Sequence, residues 1–116
     1  FASVEQQLDP ASSWPRVVRD GDEVVGYMMA TFDPDASEEY LRAALWKIIV
    51  RGDYQGQGVG KFAVEAFAAE ARSRGVARVT AVWPSDRQGP ETYFTKIGFV
   101  EIGLTPYGEK IGALAL

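Results

Sequence analysis

Gln55-Gly56-Gln57-Gly58-Val59-Gly60 separates an apolar run at residues 45–50 from a helical pattern at residues 60–74, and its reading decides the fold. The run Leu45-Trp46-Lys47-Ile48-Ile49-Val50 has the length and β-branched content of a strand. Glycines let the main chain take positive φ and approach a ligand closely. At a helix start this lets successive N–H groups converge on one anion held at the positive end of the helix. Strand, glycine turn and helix together predict a phosphate cradle whose ligand is a diphosphate. Two nucleotide-binding devices fail on spacing. A dinucleotide fingerprint needs a third glycine where Lys61 stands, and an acidic residue ending a second strand at the expected distance, which this chain lacks. A Walker loop needs glycine where Gln55 stands and a hydroxyl residue where Phe62 stands.

Composition narrows the chemistry further. A chain of 116 residues, 47% of them apolar, holds one domain spanning residues 1–116 with one core. Apolar runs fall short of a membrane span, and Phe1-Ala2-Ser3-Val4-Glu5 is unlike a secretory leader, so a cytoplasmic setting without membrane partners is expected. Cysteine and histidine are both missing, which excludes a disulfide framework, thiolate metal sites, a Ser-His-Asp triad and a cysteine nucleophile. The net charge of −4 argues against nucleic acid as a partner and is compatible with a cationic one.

Around the central stretch the elements follow from turn signals and periodicity. Phe1, Val4 and Leu8 at helical spacing predict the end of a helix closed by Pro10. Residues 16–19 and 24–32 flank an Asp20-Gly21 hairpin signal and should pair antiparallel. Residues 38–44 read either as a short helical turn or as an extended lead-in to the strand at 45–50. In the helix after the glycines, Val59, Phe62, Ala63, Ala66 and Phe67 form the predicted apolar stripe, and Gly75 ends it. Residues 78–83 form a strand reached by a crossover helix, hence parallel to 45–50. A short helix at 91–97 closed by Gly98 and strands at 99–103 and 111–116 complete the chain.

Gln55, Gly58 and Gly60, read as Gln-x-x-Gly-x-Gly, resemble the acyl-CoA pyrophosphate loop of the GCN5-related N-acetyltransferase (GNAT) family. Tyr93-Phe94-Thr95-Lys96-Ile97-Gly98-Phe99 is similar to the aromatic-Gly-Phe segment found late in that family. Gly89-Pro90-Glu91, Gly108-Glu109 and Ala113-Leu114-Ala115-Leu116 resemble its polyamine or diamine branch. The resemblance implies a mixed α/β fold with a mostly antiparallel central sheet around a parallel βαβ acyl-CoA-binding core. It covers the chain from about Arg16 onward, and on this reading the first strand and helix of the family are missing, leaving an open sheet edge where two copies can pair as a homodimer.

The same resemblance implies acetyl-CoA as co-substrate, no metal, and a primary amine of a small molecule as acceptor. The backbone of Ile48, Ile49 and Val50 is then expected to meet the pantetheine arm. Gln55, Gly56, Gln57, Gly58, Val59, Gly60 and Lys61 are expected to hold the diphosphate. The family's thiolate acid is a tyrosine five residues before the Gly-Phe phenylalanine, and that position here is Phe94, which has no proton to give and is expected to act only as a cofactor-binding residue. Neighbouring Tyr93 substitutes if the helix turns by one position, about 100°. Glu38 or Glu39 ahead of the cofactor strand is the expected proton acceptor, with Glu39 preferred. Without a thiol, transfer must be direct. Catalytically weak acyl-CoA sensing, and acetylation of a protein N-terminus or lysine, are the alternatives.

Overall fold

The computed structural model describes residues 10–116; the predicted turn of Phe1, Val4 and Leu8 lies outside them. Six strands form one mixed sheet in the order β1-β2-β3-β4-β6-β5. They are β1 (Ser13–Asp20), β2 (Glu23–Phe32), β3 (Ala43–Val50), β4 (Arg78–Trp83), β5 (Val100–Leu104) and β6 (Lys110–Ala115). Two helices, α1 (Val59–Ser73) and α2 (Gln88–Ile97), complete the mixed α/β architecture expected from the sequence. The crossover through α1 makes β3 and β4 the parallel pair, and every other pairing is antiparallel. Residues 38–44 resolve into both expected forms, a 3-10 turn at Glu39–Leu41 followed directly by β3.

Each sheet face buries its own cluster. Ala63, Val64, Phe67 and Ala71 of α1 and Phe94 of α2 pack over Met28, Leu45, Ala81 and Trp83 on one face. On the other face Trp46, Val82 and Ile111 lie beneath Tyr40 and Leu41 of the 3-10 turn. The centre of the larger cluster is aromatic: Phe67 is 0% exposed, with Phe32 at 5.4 Å and Trp14 at 6.2 Å between ring centroids. Trp14 joins this cluster because β1 begins at Ser13, three residues ahead of the predicted strand, and Pro15 is accommodated because β1 is a sheet edge.

The predicted stripe of α1 is corrected in phase. Gly60, Ala63, Val64, Phe67, Ala68 and Ala71 face the sheet, whereas Phe62 is 61% exposed and Ala66 is exposed. Small alanines meet the close sheet, so the bulk of Phe62 is no guide to its direction.

One irregularity governs the site. Met29 pairs with Lys47 and Ala30 with Leu45, so Trp46 is a surplus residue in β3. Such a bulge bends its strand and re-aims the residues beyond it. Trp46 Nε1 donates to Thr31 Oγ1 at 2.8 Å, fixing the bulge on the face away from the helices. β3 and β4 then pair only at Ala44–Thr80 and Leu45–Ala81 and diverge beyond.

Candidate functional site

Beyond Ala44–Thr80 and Leu45–Ala81 the register of β3 with β4 ends and the two strands part. The gap widens into a cleft of about 1440 Å³ between the strand ends, the start of α1 and α2. Ile48 and Val50 line it. Ile49 does not; its side chain is 55% exposed, as strand alternation requires of the residue between two inward neighbours. Backbone groups alternate as well: those of Ile48 and Val50 point to the β4 side, where Gln55 takes the Val50 carbonyl, while those of Ile49 point to β2.

The glycine turn closes the cleft beside α1. Gly56 and Gly58 take φ of 79° and 85°, which an L side chain resists, and no atom lies within 4 Å of a Cβ added at either. The first helical bond of α1 runs from Phe62 N–H to Gly58 C=O at 2.9 Å, and no side chain caps the helix. The N–H groups of Val59, Gly60 and Lys61 therefore precede the ladder, at the positive end of the helix. Gln55 Nε2 donates to Val50 C=O at 3.2 Å and Gln57 Nε2 to Asp53 C=O at 3.0 Å. The two glutamines thus brace the turn against its own backbone. Arg51 ties the same turn down through Asp53 and Glu23, and Tyr54 Oη donates to Asp20 at 2.6 Å. Those carboxylates hold the Arg51 guanidinium pKa above its ordinary value, and the bond to Asp20 raises that of Tyr54.

Gly60 has a different reason from the other two. Its φ is not positive, but a Cβ there would lie 1.7 Å from Tyr93 Oη and 2.8 Å from Tyr93 Cζ. The third glycine of the motif is the seat of a tyrosine on α2. Tyr93 and Gly60 both line the cleft, and burial raises the pKa of the phenol, keeping it protonated. Phe94 faces the core at 6% exposure, stacked on Trp83 at 5.2 Å and edge-on to Phe99 at 5.6 Å. Phe94 therefore occupies the position facing Trp83, while the Tyr93 hydroxyl is turned to α1.

Charge in the cleft runs against that of the chain. Lys47, Lys61, Arg72, Arg87 and Lys96 line it against Glu65 and Glu109, five cations to two anions in a protein of net charge −4. Local potential of that sign favours an anionic ligand. Lys61 is 73% exposed and lies 3.9 Å from Glu65, so it contributes as a solvated charge. Arg72, Arg87 and Lys96 carry no motif, and only the packing of α1 against α2 assembles them.

Glu39, the expected proton acceptor, lies apart from the cleft. It sits at the opposite end of the parallel pair, ahead of β3, where its carboxylate binds the guanidinium of Arg78 at the start of β4. Neither Glu38 nor Glu39 lines the cleft. The hydrogen bond from Arg78 lowers the Glu39 pKa. Its folded pKa lies below the unfolded one, so the stability it adds is present above the ordinary carboxylate range and lost as pH falls through the folded value. Both side chains are over 40% exposed, so solvent screening keeps the effect small. Glu39→Gln is accordingly expected to leave coenzyme A affinity and acetyl transfer unchanged, with a small loss of stability that vanishes in acid; calorimetry and melts across pH check it.

Among the described residues, no group of three or more acidic side chains is placed to hold a metal ion, and no helix is long and apolar enough to cross a membrane.

The fold as a whole is similar to those of known acetyltransferases. An acetyltransferase from Thermus thermophilus is 27% identical, with a TM-score of 0.77 over 97% of this chain and 70% of that one. The ribosomal-protein-S18-alanine N-acetyltransferase of Escherichia coli is 22% identical, with a TM-score of 0.71 over 92% and 71%. The PaiA N-acetyltransferase of Thermoplasma acidophilum, solved with coenzyme A, is 12% identical, with a TM-score of 0.74 over 90% of this chain and 62% of that one. No curated protein matches. The family model for acetyltransferases of the GNAT family matches residues 2–99. The chain belongs to the GNAT acetyltransferase family.

Proposed function

We propose that this protein transfers acetyl from acetyl-CoA directly to a primary amine of a small molecule, with a polyamine or diamine as the preferred acceptor. The observation that carries the reading is the glycine-led start of α1 opening on a cation-lined cleft where β3 and β4 part. Val59, Gly60 and Lys61 offer backbone N–H groups to the diphosphate, with Gly56 and Gly58 shaping the turn. Within Ile48, Ile49 and Val50, the backbone groups of Ile48 and the N–H of Val50 face the β4 side and can pair with the amides of the pantetheine arm, as a strand would, while Ile49 holds the segment to β2.

In the reaction the neutral amine nitrogen bonds the acetyl carbon while the carbon–sulfur bond breaks; the amine gives up one proton and the departing thiolate takes up one, so the step balances. The chain has no cysteine to carry the acetyl group between them. Titration calorimetry with acetyl-CoA, beside thiol release across diamines, polyamines and N-terminal peptides, tests the reading. Peptides outcompeting spermidine would overturn the small-molecule acceptor. Ping-pong kinetics would overturn direct transfer.

A second reading is favoured by Phe94, which cannot protonate the thiolate. Binding without turnover would make the protein an acyl-CoA sensor. Phe94→Tyr separates the two. General acid assistance is worth about 10²- to 10⁴-fold, so a phenol at this position is expected to raise kcat about tenfold or more and to add a basic limb to the pH profile. An unchanged rate would show that proton delivery does not limit turnover.

A further inference from the structure

Among the described residues two buried side-chain polar atoms lack a hydrogen-bond partner, Trp83 Nε1 and Tyr93 Oη. Buried donors without partners are rare enough in native proteins that each calls for a reason. Both belong to residues lining the same cleft, and they flank one ring: Phe94 stacks on Trp83 at 5.2 Å and meets Tyr93 edge-on at 5.3 Å. We propose that Trp83 Nε1–H and Tyr93 Oη–H form a paired donor site for carbonyl oxygens of the pantetheine arm of the bound acyl-CoA. The inference rests on the acyl-CoA reading of the cleft and deepens it.

Three features favour a neutral acceptor in that place. Trp83 is 2% exposed, and its benzo edge is seated over Gly112 of β6, which leaves Nε1 on the other edge of the indole. Tyr93 rests its oxygen on the backbone of Gly60, which offers that hydroxyl no acceptor. Between the two lies an apolar ring, where a phosphate would be costly to desolvate but an amide or thioester carbonyl, being neutral, loses less. Both atoms are buried, so the acceptor arrives with a ligand that displaces the surrounding packing. Pantetheine carries two amide carbonyls in series, a match in number and kind to two spaced neutral donors.

The test uses the whole chain with coenzyme A as probe. Indole N–H resonances of the three tryptophans are followed by NMR during titration. Trp46, already bonded to Thr31, serves as the internal control. The Trp83 resonance is expected to move downfield and saturate with binding while that of Trp46 stays. Tyr93→Phe keeps the ring and removes only the hydroxyl. It is expected to bind coenzyme A roughly two- to tenfold more weakly, the range of one neutral hydrogen bond, with a melting temperature equal to or above that of the parent. If coenzyme A binds the parent while the Trp83 resonance is stationary, or Tyr93→Phe binds equally well, the paired site is overturned and the cofactor reading stands. If coenzyme A does not bind the parent at all, the cofactor reading falls and carries this inference with it.

Discussion

Gly58→Val is expected to weaken coenzyme A binding by about tenfold or more while leaving the fold intact. Gly58 is the residue immediately before α1 and takes φ of 85°. A β-branched residue there pays at least about 1–2 kcal/mol for the left-handed conformation, and about 1.4 kcal/mol is a factor of ten in affinity. The alternative open to the chain is to leave that conformation, which turns the N–H groups of Val59 and Gly60 away from a common point. Space plays no part, since nothing lies within 4 Å of the added Cβ. Gly58→Asn should therefore be milder, because asparagine tolerates the same conformation. Titration calorimetry on the three proteins checks the order, with melts to show that each is folded. Unchanged affinity in Gly58→Val would remove the cradle from the account of this site.

The largest stability loss is expected from Phe67→Ala. Phe67 is fully buried where Trp14, Phe32 and α1 meet, and its removal leaves a cavity bounded by rings too large to collapse into it. Truncations of this kind cost about 3–5 kcal/mol, against about 5–15 kcal/mol for a whole domain. The melting temperature should fall by roughly 10 °C or more. Phe62→Ala, five positions earlier on the same helix, is the control: Phe62 is 61% exposed, so the melt should scarcely move. Equal losses in the two variants would mean that the phase of α1 is wrong.

That pair also marks what could be read before the fold was known. The glycine turn, the strand before it and the crossover helix after it were legible because each rests on local chemistry: φ at Gly58, β-branched residues in β3, a terminating glycine after α1. The phase of α1 was not, because Phe62 and Phe67 are equally apolar and only the distance to the sheet decides between them. Gly60 was legible only as part of the phosphate loop; that its neighbour across the cleft, Tyr93, also forbids a side chain there was not. A contact between two residues so distant along the chain has no signature in spacing. The position of Glu39 was hidden for a similar reason. Its partner Arg78 lies at the start of another strand, and sequence distance gave no hint that the two share an end of the sheet. The cations Arg72, Arg87 and Lys96 look like ordinary surface until two helices bring them to one rim.

Trp46 carries a further lesson about tolerance to change. Side chains along β3 alternate, and the surplus residue resets that alternation once, so the cleft is lined by Ile48 and Val50 and not by Ile49. Losing one residue from this strand would exchange inside for outside all the way to the glycine turn without altering a single downstream amino acid. The strand behaves like a message with a frame. Lineages carrying this chain should accept insertions in the turn between β5 and β6 and almost none between Leu45 and Val50, however conservative the residues involved.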